Sequence, residues 1–271
     1  MAASASCEEP ARWDEGEYLY RLIDSHAHLE ELDDLDSAID RAKQSGVVAI
    51  VAVGSDHQSN NRVLEIAARH AGFVHPALGM HPGMLHQAAS SLEKDLQFIE
   101  DHLSQAVGIG EVGLDYHKRV LSSTAKDRQH SVLQMLLSLG RKHSKPVIIH
   151  SRYAWKDSCA LTKAAGVKLA VFHWYTGPSN VLKEILDAGY FVSATLAAEY
   201  HAEHRRAVKE APLEKLLLET DCPVVYHGHQ SEPADVTRSL QAVADLKGLP
   251  ADVVAEKTTQ NAMSLFGLTG L

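Results

Sequence analysis

The chain carries eight short aliphatic or β-branched runs, at residues 19–24, 47–54, 73–79, 106–113, 146–149, 169–172, 190–194 and 215–218. None alternates apolar with polar residues, so each reads as a strand buried on both faces, as in a parallel sheet. Parallel neighbours need crossovers, and helix-like segments fill the gaps at 35–44, 60–70, 92–104, 127–143, 179–187 and 202–209. Gly46, Gly72, Gly166 and Gly189 stand where helices should stop. This alternation predicts a single-domain α/β fold, a (β/α)8 TIM barrel over residues 19–271, with helices at 234–246 and 253–266 completing its wall. A doubly wound open sheet is the alternative, but no Gly-x-Gly-x-x-Gly follows an early strand.

Residues 1–18 are rich in Ala, Glu and Ser without a period, and read as a loosely ordered extension. Cys7, Cys159 and Cys222 are far apart and odd in number, which points away from a disulfide framework and toward a reducing compartment. The first twenty residues lack the apolar run of a secretory signal, and no stretch approaches transmembrane length. The expectation is a cytoplasmic protein, with a nuclear location left open, no membrane partner, and a monomer by default. A net charge of -9 argues against a broad basic face gripping duplex nucleic acid. Bound cations would supply positive charge locally instead.

Metal-competent residues recur where the apolar runs finish. His26 and His28 follow the first run, two residues apart, a spacing that puts both imidazoles on one side of an extended strand. His81 follows the third, Glu111 lies in the fourth among Gly108, Gly110 and Gly113, and His150 and Arg152 follow the fifth. His173 follows the sixth, and Asp221 the eighth. In a parallel barrel all strands end at one face, so these scattered residues converge. Four histidines and two carboxylates (His26, His28, Glu111, His150, His173 and Asp221) suffice for two divalent ions. Imidazole with carboxylate suits zinc, manganese or iron; carboxylate with water suits magnesium. Glu111 is the candidate bridge, one oxygen to each ion, and Asp221 the candidate ligand that also takes a proton from the attacking water.

Six segments now stand in order: Ile-Asp-Ser-His-Ala-His-Leu, Gly-Met-His-Pro, Ile-Gly-Glu-Val-Gly-Leu-Asp-Tyr, Pro-Val-Ile-Ile-His-Ser-Arg, His-x-x-Thr-Gly and Leu-Leu-Glu-Thr-Asp-x-Pro. With them, from about Leu22 to Phe266, the chain resembles the TatD family of metal-dependent deoxyribonucleases, within the wider amidohydrolase-like barrels. The resemblance implies a two-metal exonuclease acting on DNA or oligonucleotide ends. It implies that His26, His28, Glu111 and Asp221 bind one ion and Glu111, His150 and His173 the other. It also implies that His81 and Arg152 face the substrate, whose phosphate suits a guanidinium fork. Two departures stand out. Tyr175 replaces a usual Phe, and the loop 224–233 is short and holds neither Lys nor Arg. That loop favours a second reading, hydrolysis of a small-molecule amide, lactone or phosphoester by the same barrel.

Several neighbours have two readings. Asp24 caps a segment or orients a ligand; Glu219 supports a ligand or pairs with Arg152. Asp115 and Tyr116 position substrate or shape a loop. Trp155 and Trp174 stack a base or wall the cleft. Cys222 reads as a packed thiol, and His227 and His229 as residues of a solvated loop.

Overall fold

A computed structural model of the chain describes residues 20–86 and 89–271. The extension expected at 1–18 lies outside the described residues. The eight runs form β1 (Leu22–Ala27), β2 (Val47–Val53), β3 (Val74–Met80), β4 (Gly108–Asp115), β5 (Val147–Arg152), β6 (Ala170–Phe172), β7 (Phe191–Ala194) and β8 (Leu216–Leu218). They pair in parallel, in chain order, into one eight-stranded sheet. The helices are α1 (Leu35–Gln44), α2 (His57–Arg69), α3 (Ala89–His102), α4 (Lys118–Leu121), α5 (Lys126–Lys142), α6 (Trp155–Ala164), α7 (Ser179–Asp187), α8 (Ala202–Glu210), α9 (Val236–Lys247) and α10 (Ala251–Phe266). A hairpin of β9 (Val225–Tyr226) and β10 (His229–Gln230) sits in the loop after β8. Among the described residues no helix is long and apolar enough to cross a membrane, and Cys159 and Cys222 are free and buried.

The barrel closes without a ladder between β8 and β1. Instead Asp24 accepts from the Thr220 amide (2.9 Å) and hydroxyl (2.6 Å). Asp221 N–H donates to His26 O at 2.9 Å, and His28 N–H to Cys222 O at 2.8 Å. Asp24 therefore orients no imidazole; it ties the two ends of the sheet and fixes the chain on which Asp221 sits. Full burial lifts its pKa to about 8, against the Thr220 bonds that favour the ionised form. Ile23, Val51, Ala77, Ile148, Val171 and Leu217 fill the barrel interior with Phe266 of α10 packed against them. The larger core lies between the sheet and the helices.

Two boundaries differ from expectation in a way that matters. β1 and β5 run further than their apolar runs, through His26 and through His150 to Arg152. Polar side chains can occupy the end of β5 because it opens on the cleft, which His150 and Arg152 line. Helix α6 was not foreseen. It buries Ser158, Cys159 and Thr162, so it shows no apolar stripe at helical spacing.

Candidate metal centre

Glu111 is the centre of the barrel mouth and is 3% exposed. The ladders of β4 to both neighbours slip register between Ile109 and Val112, a bulge that re-aims the side chain between them. Glycines make the approach possible. A Cβ on Gly79 would lie 2.4 Å from the Glu111 backbone, and one on Gly113, at φ 156, would strike His150 O at 1.9 Å. The buried Asn60 side chain takes both backbone groups of Gly79, at 2.9 and 2.8 Å. Glu111 N–H donates to Gly54 O at 2.9 Å. β3, β4 and β5 are thereby pressed together behind the carboxylate.

The two oxygens of Glu111 face different partners. Oε1 lies 2.7 Å from His150 Nδ1 and 2.8 Å from His173 Nε2. Oε2 lies 3.4 Å from His28 Nε2 and 3.7 Å from His26 Nε2. Asp221 Oδ1 joins the second set, 3.3 Å from His26 Nε2 and 3.6 Å from His28 Nε2. The two imidazole nitrogens are 3.4 Å apart. A tetrahedron with arms of about 2.0–2.1 Å has edges of about 3.3–3.4 Å, so the spacing of this set fits ligands around one zinc-like ion. On the other side the two imidazole nitrogens are also 3.4 Å apart, while their distances to Oε1 are those of hydrogen bonds.

Electrostatics tell the same story. Burial opposes charge on His28, His150 and His173, yet the surrounding carboxylates hold all three above the ordinary imidazole range. Burial works against ionised Glu111 too, but His173, and His150 through charge and a hydrogen bond, keep its pKa well below the usual carboxylate range. Without ions, protons on imidazoles balance the carboxylates. Divalent cations placed there would displace those protons and do the same work. His26 stays neutral, because burial and the neighbouring His173 depress it.

This constellation opens into a cleft of about 1150 Å³. The family profile described as "TatD related DNase" matches residues 23–267. The chain belongs to the TatD-related DNase family. It is 34% identical over 258 residues to "Deoxyribonuclease TATDN3" of Homo sapiens, a match covering 90% of this chain and 94% of that one. It is 33% identical to "Uncharacterized metal-dependent hydrolase YabD" of Bacillus subtilis, covering 90% and 98%. The crystal structure of YjjV, a TatD homologue from Escherichia coli, superposes with a TM-score of 0.82 at 28% identity, over 91% of this chain and 98% of that one.

In this TatD-family barrel all six expected ligand side chains come together. His81 and Arg152 line the same cleft. His81 Nδ1 accepts from Gly83 N–H at 3.1 Å, which leaves the proton on Nε2, 3.9 Å from Glu111 Oε1. Burial lowers its pKa to about 3, so His81 is a neutral donor rather than a cation. Glu219 does not pair with Arg152. It is buried, accepts from Trp174 N–H at 3.0 Å, and lies 3.4 Å from His173 Nδ1. Asp115 is a support as well, with Oδ2 3.3 Å from His150 Nε2 and Oδ1 accepting from His117 N–H. Tyr116 shapes the wall: its hydroxyl donates to Asp157 at 2.7 Å and meets His130 at 2.5 Å. Two residues went unnoticed in the sequence. Asn60 looks like any polar helix residue, and Glu30, whose carboxylate lies 3.8 Å from His28 Nδ1, reads as a surface acid. Its position two residues past the His-x-His pair was the available signal. His227 stacks on Tyr200 and His229 pairs with Asp235, so these two loop histidines do not converge.

Proposed function

We propose that this chain is a divalent-metal-dependent deoxyribonuclease hydrolysing phosphodiester bonds at DNA ends. In this reading His26, His28, Glu111 and Asp221 hold one ion, and Glu111, His150 and His173 the other, with zinc, magnesium or manganese as the candidates. The observation that carries it is the division of the Glu111 carboxylate, one oxygen toward His150 and His173 and the other toward His26 and His28. The deoxyribonuclease name of the human relative supports DNA as the substrate. Paired divalent ions, when bound, screen the phosphodiester charge and lower the pKa of an attacking water.

The protein's own groups do the rest. Glu111 and the four imidazoles set where the ions sit. Asp221 shares Oδ1 with the His26–His28 side, and Oδ2 accepts the proton of the attacking water. Arg152 and the His81 Nε2–H hold non-bridging phosphate oxygens, the guanidinium through its fork of donors. Water oxygen bonds to phosphorus, the P–O bond to the departing nucleotide breaks, and the departing oxygen takes the proton that Asp221 accepted from the water. Glu219 and Asp115 keep His173 and His150 oriented.

The test is cleavage of a labelled single-stranded oligonucleotide by chelator-stripped protein given magnesium, manganese or zinc. Cleavage should require added metal and disappear in Glu111→Gln. Full activity in chelator, or no turnover of oligonucleotides and simple phosphodiesters with any metal, contradicts the proposal. A second reading, hydrolysis of a small amide, lactone or phosphoester, is supported by the cleft rim, where Glu31, Asp56 and Glu203 outnumber Arg62 and Arg152. A substrate panel at equal metal loading separates the two.

A further inference from the structure

The rim of the cleft is wrong for a polyanion track. Three carboxylates (Glu31, Asp56 and Glu203) face two guanidinium groups, and Arg62 is already engaged by Glu65 at 2.9 Å. A strand threaded along this surface would be repelled at every phosphate except the one at the ions. Something other than charge must hold the nucleosides.

The cleft wall offers it at two places. On one side Tyr153 follows Arg152 directly, is 58% exposed, and lies edge-on to Trp155 with ring centres 5.7 Å apart. On the other, Trp174 follows His173 directly and packs on Tyr226 at 5.4 Å. The indole N–H groups of Trp155 and Trp174 are buried and, among the described residues, meet no acceptor. Both indoles line the cleft. The backbone agrees. Five described non-glycine residues have positive φ, and three of them, Tyr153 (56°), Trp174 (41°) and Asp221 (54°), line the cleft. Such conformations cost energy and persist where the surroundings impose them. Here they turn the two aromatic side chains' backbones at the residues next to Arg152 and His173.

We propose that Tyr153 with Trp155, and Trp174, are two stacking stations for the bases on either side of the cleaved phosphate. Each base must then leave its stacked neighbours, so that its face is free for an aromatic side chain. This rests on the phosphodiesterase reading above and names what that site selects. Stacking accepts any base and needs no basic groove, so one cleft reconciles an acidic rim with a nucleic-acid substrate.

The experiment uses the metal-loaded full chain and a thymidine dinucleotide, whose single phosphodiester fixes which base lies on which side. It is compared with two analogues carrying a tetrahydrofuran abasic unit in place of one nucleoside or the other. In the wild type each abasic unit should lower kcat/KM about tenfold. Tyr153→Ala should abolish the penalty for one analogue, and Trp174→Ala the penalty for the other. A purely structural role would slow all three substrates alike and leave the ratios intact. Salt gives an independent check: with at most two guanidinium groups on phosphate, raising salt from 50 to 200 mM should cost about sevenfold or less, a slope of about -1.4. Equal rates with and without bases in the wild type, ratios that survive both substitutions, or a much steeper salt loss overturn the inference. No turnover of any oligonucleotide or of methyl 4-nitrophenyl phosphate removes the hydrolase reading instead.

Discussion

His204 gives a test that needs no substrate. It is fully buried on α8; Nε2 accepts from Thr195 N–H at 3.1 Å, and Nδ1 donates to Tyr175 O at 3.0 Å. A proton added at Nε2 would face another donor in a buried site, and burial lowers the pKa from 6.5 to about 4. The sign follows. The folded imidazole stays neutral while the unfolded one protonates below about 6.5, so its stabilising contribution is complete above that pH. It is lost progressively as pH falls and levels off below about 4. Between pH 7 and pH 5 the loss is about 2 kcal/mol, and toward pH 3 about 3 kcal/mol. With a urea slope of about 3 kcal/mol/M, the first figure moves the midpoint by about 0.6 M. The assay is urea unfolding of chelator-treated wild type and His204→Ala at both pH values. The variant should be weaker at pH 7, since the Thr195 amide and Tyr175 carbonyl lose their partner at about 1–3 kcal/mol each. It should also lose about 2 kcal/mol less than the wild type on going to pH 5. Identical pH dependence in the two proteins would refute the reasoning, because every other titrating group is common to both.

Three further outcomes follow from the cleft. Glu219→Gln should weaken binding of one ion about 10- to 100-fold while sparing the other, read by chelator competition, because His173 loses a carboxylate beside Nδ1. Metal uptake should release protons and tighten as pH rises, since the carboxylates hold His28, His150 and His173 above the ordinary range; calorimetry in buffers of different ionisation enthalpy measures this. Arg152→Lys should reduce kcat/KM on oligonucleotides about tenfold despite the retained charge, because an ammonium lacks the guanidinium fork.

Much of this molecule was legible from local pattern. Helices α1 and α7 begin and end where the sequence places them, and all eight strands fall on the apolar runs. The convergent ligands were legible because parallel strands must end on one face. What escaped depends on contacts between distant positions. Asp24 finds Thr220 across 196 residues, and no spacing rule reports that pairing. Asn60 matters through the backbone of Gly79, and His204 through two backbone groups of other segments. Glu219 had two readings until its burial beside His173 separated them from Arg152.

The central claim is that one carboxylate serves two ions. Elemental analysis of metal-reconstituted protein, wild type beside Glu111→Gln, measures it directly. Two ions per folded wild-type chain and at most one in the variant is the expected result, since an amide offers only one oxygen. A single ion in the wild type, or two retained by Glu111→Gln, would contradict the account.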